Sequence, residues 1–263
     1  MIEDTPAPPG AQPDELGAVA RRERLKSVYL TARQCTACPQ LPAARTQVVF
    51  GGGNADADLM LIGEAPGARE DEQGVPFVGA SGKLLDELLT DAGLVRADVF
   101  ITNIVKCRPP GNRDPTPGEI ERCRPFLEEQ IALVRPRVIA TLGNFATRLL
   151  RGEPDAITET HGRAEVRTVG GRAVRLIPLF HPAAALYTRA LLDTLRDDFA
   201  GIPGLLALPD LPQPERAVAS DADVALTAAP VAEPGNAPMA PDPIITPTPE
   251  PEAPAPGQLD LFD

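Results

Sequence analysis

The sequence predicts an α/β fold: a central, mostly parallel sheet with helices on both faces, a three-layer α/β/α sandwich. Two observations carry this. Short apolar runs alternate along the chain with longer segments of helical periodicity. The runs are also continuously apolar, as strands buried on both faces are. Leu59-Met60-Leu61-Ile62-Gly63 is the first strand. From Gly82 to Leu94, Leu84, Leu85, Leu88 and Leu89 fall at helical spacing. Residues 99–105 form the second strand. Thr116-Pro117-Gly118-Glu119 fits a capping box with proline at the first helical position, opening a helix to about Leu133. Val138 to Gly143 is a third strand, followed by a short helix. Residues 164–169 and 173–179 pair around Gly170-Gly171 as a hairpin. A last helix runs from about Ala190 to Phe199. Sites in such sheets form at the carboxyl ends of strands, here Gly63-Glu64, Asn103 and Phe180-His181.

The chain has 263 residues, 31 prolines, four cysteines and a net charge of −12. The acidity sits at the ends. Residues 206–263 carry ten acids against one base, Arg216, and residues 1–20 carry four acids and no base. Residues 21–205 are left near neutral, so an anionic partner such as DNA is compatible with the composition. Residues 1–20 read as a disordered extension, 21–205 as the folded domain, 206–257 as a disordered Pro/Ala/acidic linker and 258–263 as a terminal peptide. No apolar run reaches the roughly 20 residues of a membrane span, and the start lacks a basic, apolar leader. A cytoplasmic protein with no membrane partner is expected.

Cys35 and Cys38 form C-x-x-C; Cys107 follows a strand and Cys123 lies in the next helix. In a reducing compartment such a set points to metal. Four thiolates can close a zinc site or hold an iron–sulfur cluster, and spacing alone does not separate the two. Either would tie the N-terminal segment to the core.

The segment Gly63-Glu64-Ala65-Pro66-Gly67-Ala68-Arg69-Glu70-Asp71 flows from a strand end into a loop, followed by Gly74-Val75-Pro76-Phe77-Val78-Gly79. Glycines let backbone N–H groups approach a ligand, carboxylates suit work on water, and a rigid aromatic stacks on a planar ring.

Together with Thr102-Asn103-Ile104-Val105-Lys106-Cys107-Arg108-Pro109-Pro110 and His181-Pro182-Ala183, this segment resembles the family-4 uracil-DNA glycosylases, the iron–sulfur branch of that superfamily. The resemblance runs from about Arg33 to Phe199 and includes all four cysteines. It implies a structural [4Fe-4S] cluster on Cys35, Cys38, Cys107 and Cys123. It also implies a monomer that removes uracil from single- or double-stranded DNA without an external cofactor, in base excision repair. The base is flipped into a pocket formed with Gly63, Ala65 and Gly67. Phe77 stacks on it, and Asn103 pairs with its edge, offering one donor and one acceptor. His181 stabilises the uracil anion that leaves C1′. Glu70 handles water and Glu64 shapes the loop, with Asp71 as a cap. His161, in a polar turn, reads as surface. After the histidine, Tyr187 stands where the family pattern has arginine. Leu186 or Tyr187 serves as the wedge, and Arg189, Lys106, Arg108 and Arg113 as phosphate contacts. The loop from Arg108 to Asp114 has no histidine, which favours turnover over covalent trapping of the product.

The terminal Gln258-Leu259-Asp260-Leu261-Phe262-Asp263 looks like the peptide by which bacterial repair proteins dock on the sliding clamp, with Gln258, Leu259, Leu261 and Phe262 as its contacts. Two other readings stand beside this one. The first is a non-catalytic uracil sensor tethered to the clamp. The second is a zinc-stapled nucleotide hydrolase, against which the lack of a phosphate loop counts.

Overall fold

A computed structural model describes residues 16–214. Its strands are β1 (Gly52–Gly53), β2 (Leu59–Gly63), β3 (Phe100–Asn103), β4 (Val138–Leu142), β5 (Glu165–Val169) and β6 (Arg172–Leu179). They form one six-stranded sheet in the order β1-β3-β2-β4-β6-β5. The four inner strands are parallel, and both edges are antiparallel. The mostly parallel sheet expected from the apolar runs is therefore present.

The reason those runs are continuous is visible in the packing. Along β2, Met60 and Ile62 face one core while Leu59 and Leu61 face the other. Strand β4 divides likewise, Ile139 from Val138, Ala140 and Leu142. One face is covered by α1 (Ala18–Arg33) and α5 (Pro117–Val134), with α6 (Asn144–Arg151) beside them. The other is covered by α4 (Ala80–Asp91), α9 (Arg189–Ala200) and α10 (Ile202–Leu206). Fully burying each such aliphatic side chain contributes about 1.5–3 kcal/mol, which makes the sheet the rigid part of the molecule.

The expected elements lie within a few residues of their observed bounds. The capping box at Thr116 is complete. Glu119 N–H donates to Thr116 Oγ1, and Thr116 N–H donates back to the Glu119 carboxylate. The hairpin turns at Gly170-Gly171. Strand β3 stops at Asn103, short of residue 105, because its partner β2 ends at Gly63. Beyond that point Ile104 and Val105 N–H groups follow the loop, bonding Gly63 and Glu64 carbonyls.

Helix α1 begins inside the expected N-terminal extension. Its buried face is Leu25, Val28, Tyr29 and Ala32, a helical spacing readable in the sequence. The folded part also runs past residue 205. Arg137 and Arg175 donate to the Leu208 and Pro209 carbonyls, and the Gln213 side chain pairs with both backbone groups of Ala173. This strap crosses the sheet at the starts of β4 and β6. The terminal peptide, with Gln258, Leu259, Leu261 and Phe262, lies outside the described residues.

Candidate active site

The carboxyl ends of β2, β3 and β6 open into a cleft of about 420 Å³, lined by the loop from Glu64 to Glu70 and by Phe77, Asn103 and His181. The expected residues on three separate sequence segments are thus brought together. Ala183 of the His181-Pro182-Ala183 motif lines the cleft too, as do Ser81 and Asn112, which nothing in the sequence reading singled out.

Asn103 ends β3 and is buried. Its Oδ1 has no hydrogen-bond partner. A buried acceptor left unpaired costs about 1–3 kcal/mol, so the amide is complementary to something else. The place is kept open by Gly63, where a Cβ would stand 2.4 Å from Asn103 Oδ1 and 3.0 Å from the Phe77 ring. Phe77 forms one wall at the unusual φ of 53°. Its carbonyl is approached so closely by Gly82 that a Cβ there would lie 1.8 Å away. Arg96 holds the same segment, donating to the Pro76 and Phe77 carbonyls.

His181 follows β6 and caps a short helix, α8 (Pro182–Ala185). Ala183 N–H donates to His181 Nδ1 at 3.1 Å. That bond assigns Nδ1 as the acceptor and puts the proton of the neutral ring on Nε2. Burial pushes the imidazole down to about 4, against the opposing pull of the Glu70 carboxylate. The ring is stacked with Phe77, centroids 5.6 Å apart. His161, expected at the surface, is half-buried: it packs on Phe180 and its Nδ1 bonds the Asp198 carboxylate at 2.8 Å.

The two glutamates differ in what their carboxylates bond. Helix α3 (Ala68–Gln73) buries Glu70, whose Oε1 accepts from both Val78 and Gly79 N–H at 3.1 Å. Glu70 therefore shapes the loop that carries Phe77. Glu64 has no hydrogen bond of this kind and lines both this cleft and an adjoining one of about 620 Å³, which also contains Asp114, Asn144, Phe145, Arg148 and His181. Burial, then the nearby Asp114 carboxylate, raises the Glu64 pKa. Asp71 does not cap its helix; it accepts Thr46 N–H with both oxygens at 3.0 Å, tying the loop to the N-terminal segment.

The expected phosphate contacts divide. Lys106 is 1% exposed, and its ammonium bonds three internal acceptors, so it cannot reach a phosphate. Arg113 is committed to a bidentate pair with Glu119 at 2.7 and 2.9 Å, although it borders the cleft. Arg108 is half-buried and bonds Asn112. Tyr187 is 90% exposed and Leu186 43%, on the loop directly after His181, and Arg189 is exposed at the start of α9.

Cys35, Cys38, Cys107 and Cys123 line one small cavity with Ala32, Leu41 and Phe126. Arg45 donates to Cys107 Sγ at 3.1 Å and to the Cys35 carbonyl at 2.8 Å, and Lys106 N–H donates to Cys123 Sγ. Burial pushes the Cys123 thiol up to about 11, so a thiolate there needs an electrophilic partner. Four sulfurs around one apolar cavity, with N–H donors on two of them, fit a thiolate-ligated cluster. Among the described residues, no three metal-ligating side chains converge closely enough to hold a single ion.

Residues 50–200 match the model of the uracil DNA glycosylase superfamily. The chain is 42% identical over 184 residues to a type-4 uracil-DNA glycosylase of Archaeoglobus fulgidus, covering 68% of this chain and 92% of that one. Pyrobaculum aerophilum provides an internal comparison. Its type-4 enzyme is 41% identical over 180 residues, covering 67% and 91% of the two chains. Its type-5 enzyme is 31% identical over 179 residues, covering 57% and 78%. The chain belongs to the uracil DNA glycosylase superfamily, and within it to the type-4 uracil-DNA glycosylases.

Proposed function

We propose that this chain removes uracil from DNA by hydrolysing the bond between uracil N1 and deoxyribose C1′, leaving an abasic site and free uracil. The observation that carries the reading is the unpaired, buried Asn103 Oδ1 in a cleft walled by Phe77 and a Nε2-protonated His181. Uracil presents an N3–H donor beside an O4 acceptor; one amide answers both, and cytosine reverses the pattern. A site built this way rejects the wrong base through the groups it would leave unpaired.

As the C1′–N1 bond breaks, its electron pair goes to the base and charge grows on uracil O2. His181 Nε2–H donates to that oxygen, an interaction strongest in the transition state. A neutral imidazole suits this role, because it donates without surrendering its proton to solvent at pH 7. Water then adds to C1′ and loses a proton. Glu64, which lines both clefts, is the base we assign to take that proton; Glu70 braces the Phe77 loop. Leu186 or Tyr187, both exposed on the loop after His181, is read as the wedge that enters the stack behind the flipped base, with Arg108 and Arg189 read as phosphate contacts.

The cysteines are read as ligands of a [4Fe-4S] cluster, which would supply cross-linking rather than chemistry: it would join the segment after α1 to β3 and α5. Replacing Cys35 and Cys38 by serine is expected to abolish the visible absorbance of the anaerobically purified protein and to lower its melting temperature. The terminal Gln258-to-Phe262 peptide is read as a sliding-clamp ligand, and the domain as a monomer.

The test is incubation with a labelled uracil-containing strand, then alkaline cleavage of abasic sites. Cleavage at uracil, slowed by about 100-fold or more in His181→Ala and Asn103→Ala with the fold intact, supports the reading. Tight binding without release of free uracil would overturn it.

A further inference from the structure

Lys106 has no place in the reaction as described, yet it is among the most deeply buried large side chains. An ammonium has three donors, and all three are used. Lys106 Nζ donates to Asn103 O at 2.6 Å, to Gln130 Oε1 at 2.6 Å and to Thr102 Oγ1 at 2.7 Å. The acceptors come from two elements, β3 and α5. They are braced in turn: Thr102 Oγ1 and Gln130 Nε2 both donate to the Phe50 carbonyl at 2.8 Å. The backbone of Lys106 is fixed as well, its N–H on Cys123 Sγ and its carbonyl accepting Val49 N–H.

Asn103 itself needs such support. Its side-chain oxygen has no partner, so no hydrogen bond to that atom fixes the amide before a base arrives. Its backbone carbonyl lies beyond the end of the β2–β3 ladder, where the register ends at the pair Gly63–Asn103. The bond from Lys106 gives this carbonyl a donor at the point where the ladder stops.

We propose that Lys106 is a positioning residue for base recognition: its ammonium clamps the Asn103 backbone so that the amide meets the uracil edge in register. Lys106 also lines the cysteine cavity, so it is the one side chain named here that touches both the cysteine site and the residue that reads the base. The inference rests on the glycosylase reading and sharpens it. It concerns how Asn103 is aimed, which the pairing of amide and uracil leaves open.

A double-mutant cycle separates aiming from mere support of the fold. Single-turnover rates on a uracil strand would be measured for the full chain, Lys106→Met, Asn103→Ala and the double variant, with near-ultraviolet circular dichroism and visible absorbance recorded for each. A misplacement of the recognising group by about 1 Å can cost on the order of 100-fold. Lys106→Met is expected to lose about that much in the wild-type background and less than about twofold when Asn103 is already alanine. Equal losses in both backgrounds would overturn the proposal, as would a Lys106→Met rate within about threefold of wild type. Thr102→Val and Thr102→Ser carry the same cycle if Lys106→Met does not fold. The valine variant removes one arm of the clamp and should slow cleavage only when Asn103 is present, whereas the serine variant should restore the rate. A valine loss independent of Asn103 would sink the idea. No cleavage by the unaltered chain would strike at the glycosylase reading and not at the clamp alone.

Discussion

A backbone bond two residues away sets the tautomer of His181. Because Ala183 N–H occupies Nδ1, the ring is held as a donor through Nε2. Its pKa near 4 means the neutral form persists across the working range. Nitrogen-detected NMR of the ring is expected to show one Nε2-protonated tautomer from pH 8 to pH 5. Removing this donor in His181→Ala should slow single-turnover cleavage by about 10²–10³-fold. Glu64 behaves oppositely. Its pKa is raised by burial and by Asp114, and water activation needs the ionised form, so the rate should climb as pH rises through that raised value. The climb should be absent from the residual activity of Glu64→Gln. Gly63 offers a third check. A methyl there would strike Asn103 Oδ1 and the Phe77 ring, so Gly63→Ala should lose uracil cleavage while its melting temperature changes little. Legibility at this scale was uneven. Asn103 and His181 could be found because each stands at a strand end in a distinctive motif, and Phe77 because it is an aromatic set between glycines. The division between Glu64 and Glu70 could not, since it depends on which loop amides come within reach eight and nine residues downstream. Lys106 was misread for a related reason: a lysine is normally exposed, and only three acceptors converging from separate elements keep this one inside.

Among the elements, α5 does two tasks. Its first turn is closed by the capping box, and Glu119 of that box also holds Arg113 at the cleft rim. Thr116→Ala should destabilise the protein by about 1 kcal/mol, read by urea unfolding. Arg113, then the Thr116 groups, hold Glu119 down at about 2. Its contribution is therefore complete above the ordinary carboxylate range and lost as pH falls toward 2. The stability gap between wild type and Glu119→Gln should accordingly be widest at neutral pH and shrink on acidification. The capping box, the buried strands and the Gly-Gly hairpin were all readable, because each is a local rule written in adjacent residues. Strand β1 was not: two glycines carry no alternation, and the strand exists because β3 offers an edge to pair with. Helix α3 is a single short stretch set by the loop it belongs to, and it has no apolar stripe to announce it.

For the whole molecule, the sequence separates a near-neutral centre from acidic ends, and all the site residues described here fall within residues 16–214. A chain truncated after Pro214 is expected to cleave a short uracil strand at least as fast as the full protein, and faster at low salt, since most of the net negative charge is gone. Steady-state kinetics at two ionic strengths would check this. Slower cleavage by the truncated chain would mean that the terminal residues contribute to catalysis.

The strap formed by Arg137, Arg175 and Gln213 has a practical corollary. It pins residues 208–213 across the starts of β4 and β6, whereas the cleft opens where β2, β3 and β6 finish. A bead, dye or surface coupled beyond Pro214 would grip the domain by its base and leave the cleft facing outward. Immobilisation through that terminus should therefore give a catalyst whose entrance remains clear, whereas attachment through the Leu186–Tyr187 loop should block it.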